Sequence, residues 1–185
     1  MPDNSEDLTQ DFVIVLDSIG IKLTNRGEWL SKKHGKVSHM KVTDNRTHDS
    51  QCAIGLLENS MEKTEALGGK VKEVIADTGY DIHEIFRYLG RKGIKPVIKV
   101  REGVVIIGNR AGDEVVRAIR KGKKKWRKIN GYGRRWHVES FFSSFKGWFG
   151  EYVSSVKFEN IRKELMFKVV ITSMFLSGGV GMLVS

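Results

Sequence analysis

The chain has 185 residues, 40% of them hydrophobic, which suffices for one well-buried core and is short for two. Its formal net charge of +10 points to a polyanionic partner, nucleic acid first and an acidic membrane second. Cys52 is the single cysteine, which excludes an intrachain disulfide, and the acidic start Met1-Pro-Asp-Asn-Ser-Glu-Asp7 is unlike a signal peptide; both fit a reducing cytoplasm.

In chain order, an acidic tail over 1–11 precedes Phe12-Val-Ile-Val-Leu16, an unbroken apolar run that reads as a central strand covered on both faces and ends in Asp17. Ser18-Ile-Gly20 is expected to turn into a second strand, Ile21–Thr24, and a third is expected over Val37–Thr43, giving an antiparallel meander. A helix over about Ser50–Leu67, capped by Asp49 or Thr47, carries Ala53, Leu56, Leu57, Ser60, Met61 and Thr64 on one stripe, with Gly68 just past its end.

Val71–Ala76 is the next strand and ends in Asp77; Gly79 then allows a sharp turn, and Asp81 with Glu84 can cap a helix over Ile82–Leu89. Ile94–Val100 completes the strands. The stretch 117–135, whose run Arg120-Lys-Gly-Lys-Lys-Lys125-Trp-Arg-Lys128 is the most basic of the chain, is expected to be a flexible loop. In that reading it tracks phosphates through Lys123, Lys124, Lys125, Arg127, Lys128 and Arg134, and leaves Trp126 free to stack.

A last amphipathic segment follows, Tyr132-Gly-Arg-Arg135-Trp-His-Val-Glu139-Ser-Phe-Phe-Ser-Ser-Phe-Lys146. On a helix, Arg135, Glu139 and Lys146 fall within about 40° of one another, while Val138, Phe141, Phe145 and Trp148 gather on another side. A second helix, about Asn160–Leu176, is expected to pack on the sheet. The uncharged stretch 169–185 is too short and too rich in glycine to read as a membrane span, and 178–185 form a C-terminal tail. The five histidines have no zinc-site spacing.

Residue pattern alone gives a mixed α/β domain over 12–177. The spacing Tyr132-(2)-Arg135-(3)-Glu139-(6)-Lys146 resembles the Y-(2)-R-(3)-E-(6)-K signature of DDE-type insertion-sequence transposases. Ala76-Asp-Thr-Gly-Tyr-Asp81 and Leu16-Asp-Ser-Ile-Gly-Ile-Lys22 look like the family's stretches around its second and first catalytic aspartates. The resemblance implies a ribonuclease-H-like fold with a mixed five-stranded sheet flanked by helices. It also implies a catalytic and metal-binding trio of Asp17, Asp77 and Glu139, holding two Mg²⁺ or Mn²⁺ ions.

The implied activity is cleavage at transposon ends followed by strand transfer into target DNA, with DNA and a second copy of the chain as partners and a nucleoid-associated place in the cytoplasm. Carboxylates about 4 Å apart repel by several kcal/mol at an effective dielectric near 20, so they need a dication between them. Magnesium, with oxygen ligands and retained waters, suits such a trio. Arg135 and Lys146 would hold phosphates and Tyr132 would pack against or hydrogen-bond the DNA near the cut. Family members usually carry an end-recognition region before the first aspartate, whereas sixteen residues precede Asp17. The alternatives are therefore an inactive DNA-binding remnant or a nuclease that cuts without joining.

Overall fold

The computed structural model describes residues 10–23, 26–33, 36–42, 49–103 and 112–176, with side chains left undescribed over 19–40. The sheet has the order β3-β2-β1-β4-β5, from β1 (Gln10–Leu23), β2 (Arg26–Lys33), β3 (Lys36–Val42), β4 (Gly69–Ala76) and β5 (Lys95–Ile98). β1, β4 and β5 run parallel, and β2 and β3 pair antiparallel beside β1. The helices are α1 (Asp49–Glu65), α2 (His83–Arg91), α3 (Asp113–Ile129), α4 (Trp136–Phe149) and α5 (Phe158–Leu176).

Alternation along the strands builds two cores. Ile14, Leu16, Val74 and Ala76 face the stripe of α1 and Ile85, Phe86 and Leu89 of α2. One residue out of phase, Val15, Ile75 and Val97 face Val138, Phe141 and Phe145 of α4 and Ile161, Leu165 and Val169 of α5. The central strands are thus covered on both sides, as their unbroken apolar runs imply. All six residues of the α1 stripe are buried, Ser60 and Thr64 included, and the Thr64 hydroxyl donates to the Ser60 carbonyl at 2.6 Å. Gly68 closes α1 with φ +72°, the left-handed geometry that favours glycine.

The structure corrects five expectations. β1 does not turn at Ser18–Gly20: residues beyond Asp17 stay paired with β2 (Asp17 with Leu30, Ser18 with Trp29, Ile19 with Glu28), so the second strand is β2 and not Ile21–Thr24. Cross-strand pairing carries β1 past a serine-glycine segment that local turn chemistry favours, with a register irregularity between Ile19 and Leu23. β1 also begins at Gln10, inside the expected tail; residues 1–9 and 177–185 lie outside the described residues, as does Thr47.

The stretch 117–135 is not a loop either. It is most of α3, kinked at Gly122, followed by a 3-10 turn over Tyr132–Arg135. Val115, Val116, Ile119 and Trp126 recur at helical spacing on its inner side, and lysine and arginine are good helix formers, so the cations masked an amphipathic helix. Trp126, 6% exposed, belongs to the core beside Tyr132, with ring centroids 5.5 Å apart, and does not offer a free stacking face. Trp148, expected inside, is half exposed, with its ring 5.3 Å from Phe175 of α5. No helix among the described residues is long and apolar enough to cross a membrane.

Candidate active site

β1 and β4 pair in parallel up to Val15 opposite Ile75, and two residues further along each strand come Asp17 and Asp77. A two-residue step returns a side chain to the same face, so both carboxylates follow Val15 and Ile75 toward α4 at the carboxyl end of the parallel strands. Ligand sites of open α/β sheets gather at that end. Asp17 is 6% exposed. The Ser18 N–H donates to its Oδ1 at 3.0 Å. Asp77 keeps extended backbone and accepts the Gly79 N–H at 2.8 Å, which caps the short turn Thr78–Tyr80.

From the other side of the site comes the segment linking α3 to α4. Gly131 (φ +58°) makes a left-handed turn that favours glycine, and a Cβ there would lie 2.9 Å from Arg134 Nε and push that guanidinium from its place. The turn delivers two consecutive arginines to opposite duties. Arg134 donates from Nε to the Gly131 carbonyl at 3.1 Å, from Nη2 to the Asn130 carbonyl at 3.2 Å, and from Nη2 to the Glu73 carboxylate of β4. Burial works to raise the Glu73 carboxyl, but hydrogen bonds from Arg134 and Lys95 outweigh it and hold the group below the usual carboxylate range.

Arg135 reaches Asp17. Its Nη2 stands 3.1 Å from both oxygens of Asp17 and 3.8 Å from Glu139 Oε1, while Nη1 donates to the Tyr132 hydroxyl at 3.1 Å. One nitrogen thus sits between two carboxylates, which places Asp17 and Glu139 no more than about 7 Å apart. Desolvation raises the Asp17 carboxyl above its ordinary value; the charge and hydrogen bonds of Arg135 and the Ser18 N–H pull it down, and the nearby Asp77 pushes it up again. Burial likewise raises the Tyr132 phenol, against the Arg135 charge.

The other residues singled out in the sequence lie at varied distances from this centre. Glu139, with a side chain 60% exposed, faces outward from the first turn of α4. Lys146 pairs with Glu151 at 2.9 Å. Tyr132 is 3% exposed, packs on Trp126 and accepts a hydrogen bond from Arg135, so in this geometry its ring is covered. Lys123 pairs with Glu102. Lys124, Lys125, Arg127 and Lys128 are exposed on α3, and Lys124, Arg127, Lys128 and Arg134 line an open concavity with Gly131 and Gly133.

Sequence reasoning missed Glu73, the anchor of Arg134. The signal was present: Glu73 lies in phase with Ile75 and Asp77 on β4, so it had to face the same helix and find a cation there.

A family model described as the transposase DDE domain matches residues 13–174. The chain belongs to that family. No solved structure matches it. Membership of the transposase DDE domain family brings with it nuclease and transposition activity in general and a ribonuclease-H-like fold, with which the mixed α/β architecture agrees.

For a transposase DDE domain the relevant donor chemistry is that of hard cations. Asp17 lies on β1, Asp77 just past β4 and Glu139 on α4; none of these positions is a cysteine or histidine, and carboxylate oxygens are the donors that hard divalent ions take. In the geometry described, Arg135 rather than a third carboxylate lies nearest Asp17, and no group of three His, Cys, Asp or Glu residues among the described residues is close enough to grip an ion.

Proposed function

We propose that this domain cleaves DNA and transfers the strand, with Asp17, Asp77 and Glu139 as the ligands of two divalent ions, Mg²⁺ or Mn²⁺. The observation that supports this most is the single guanidinium bridging Asp17 and Glu139 beside Asp77, because it brings acidic residues about sixty positions apart in sequence to one end of the sheet. When bound, the ions would supply Lewis-acid activation of the attacking oxygen and stabilisation of the leaving oxygen in an in-line displacement.

The rest falls to the chain. Asp17 and Asp77, fixed by the parallel register of β1 and β4, define the floor of the site. Glu139, exposed on the first turn of α4, closes it by a change of rotamer. The exposed cations Lys124, Arg127 and Lys128 on α3 border the same α3–α4 junction and would track the phosphodiester backbone by charge, setting orientation without reading bases. Lys146 would serve phosphates only by leaving Glu151.

The test is a nicking and joining assay on supercoiled plasmid with Mg²⁺ or Mn²⁺. Metal-dependent nicks and joined products are expected from the unaltered chain. Nicks without joining would assign it as a nuclease. DNA binding with neither product, in folded protein, would mark it as an inactive remnant.

A further inference from the structure

Arg135 and its neighbour Arg134 differ in a way that the proposed chemistry does not by itself require. Arg134 is anchored, with its Nε and Nη2 on two carbonyls and the Glu73 carboxylate. Arg135 is not. Its Nε is buried and meets no acceptor among the described residues. It touches Asp17 through Nη2 alone, at 3.1 Å to each oxygen, where a two-nitrogen fork would bind more strongly, and it reaches Glu139 only at 3.8 Å.

A buried donor without an acceptor is a standing cost, so this contact is one that the side chain can leave. Yet Asp17 is buried, and a buried carboxylate requires a paired, hydrogen-bonding cation, which Arg135 Nη2 supplies at 3.1 Å to each oxygen. The guanidinium therefore stabilises the site while occupying the position between carboxylates that a bridging cation requires.

We infer that Arg135 is an internal placeholder for the divalent ion: it neutralises Asp17 before metal enters, must leave Asp17 for metal to bind, and is then free to meet a phosphate with the donors it now lacks acceptors for. The inference rests on the reading of Asp17 as a metal ligand. It makes two states of one side chain mutually exclusive, so metal affinity is lowered by the fraction of molecules in which Arg135 holds Asp17.

The test is Mn²⁺ binding to the full 185-residue chain without DNA, followed by calorimetry at fixed pH. Arg135→Gln should bind Mn²⁺ at least about fivefold more tightly than the unaltered chain, the low end of a typical coupling between competing occupants. Lys163→Gln, which removes an exposed charge on α5 that has no part in the site, should change affinity by less than about twofold, as screened surface charges do.

Equal tightening by both variants, or none by Arg135→Gln while Asp17→Asn loses binding, overturns the placeholder and leaves the metal reading standing. Unchanged binding by Asp17→Asn overturns both. Should Arg135→Gln fail to fold, the unaltered chain still decides. On Mg²⁺ saturation the Arg135 Nε–H resonance should shift and exchange faster with solvent, and an unmoved signal refutes the displacement.

Discussion

Two carboxylate–cation pairs in this protein are built from similar parts and come out in opposite states. Glu164 on α5 accepts the Ser154 and Ser155 N–H groups at 3.2 and 3.0 Å and pairs with Lys168 at 2.8 Å. Lys168 in turn donates to the Tyr152 carbonyl and lies over the Phe149 ring. Burial alone would raise Glu164, but these hydrogen bonds win and hold its carboxyl down to about 2. Asp17 also has an arginine and one backbone N–H, yet its carboxyl is raised, because deeper burial and the adjacent Asp77 outweigh them. Glu164 is satisfied and ties the α4–α5 connection to its helix. Asp17 is under-compensated, since the groups that face it do not offset its burial.

The contrast can be broken at the Asp17 end most forcefully. Glu139→Gln and Asp77→Asn should each cut metal-dependent nicking by at least about 1,000-fold, or roughly 4 kcal/mol of barrier, while DNA affinity in a filter-binding assay stays put. Full nicking by either variant removes that residue from the site. The core side of the same wall is next in size: Trp126→Ala should cost about 3 kcal/mol in urea unfolding, because a buried indole is lost from between α3 and α4. If Trp126 instead stacked on DNA, the same change would spare stability and weaken binding.

At the other end, Glu164→Gln should cost about 1–2 kcal/mol and lower Tm by roughly 3–6 °C, without altering Mn²⁺ binding. The sign with pH follows from the depressed carboxyl. Glu164 contributes stability above its ordinary value of 4.5, and that contribution is lost as pH falls toward about 2. The variant's Tm should therefore converge on that of the unaltered chain in acid, and a constant gap down to pH 2 would show that its charge is not what matters. Asp17 acts in the opposite sense: with its carboxyl raised, ionisation costs the fold stability as pH rises. The smallest effect is expected on α3, where Lys124→Gln and Lys128→Gln should each flatten the salt dependence of DNA binding by about one counterion.

How much of this was legible in the sequence depended on whether one period controlled the segment. The α1 stripe and the strands β4 and β5 could be read because burial follows a single clean repeat, and the acid after each apolar run marked the strand ends that matter. α3 was missed because nine of its seventeen residues, from Arg117 to Lys128, are cations and glycine that hide the spacing of Val116, Ile119 and Trp126. β1 was cut short because Ser18-Ile-Gly20 carries turn chemistry that only pairing with β2 overrides. The contact of Arg135 with Asp17 was not legible: the wheel placed Arg135 beside Glu139, but its partner on β1 is 118 positions away in sequence.

The most direct test of the central claim is a crystal of the unaltered chain soaked in Mn²⁺ and measured for anomalous scattering. The account predicts a peak within about 2.5 Å of carboxylate oxygens from both Asp17 and Asp77, with Arg135 moved off Asp17. Mn²⁺ bound elsewhere, with Arg135 still seated on Asp17, would contradict it.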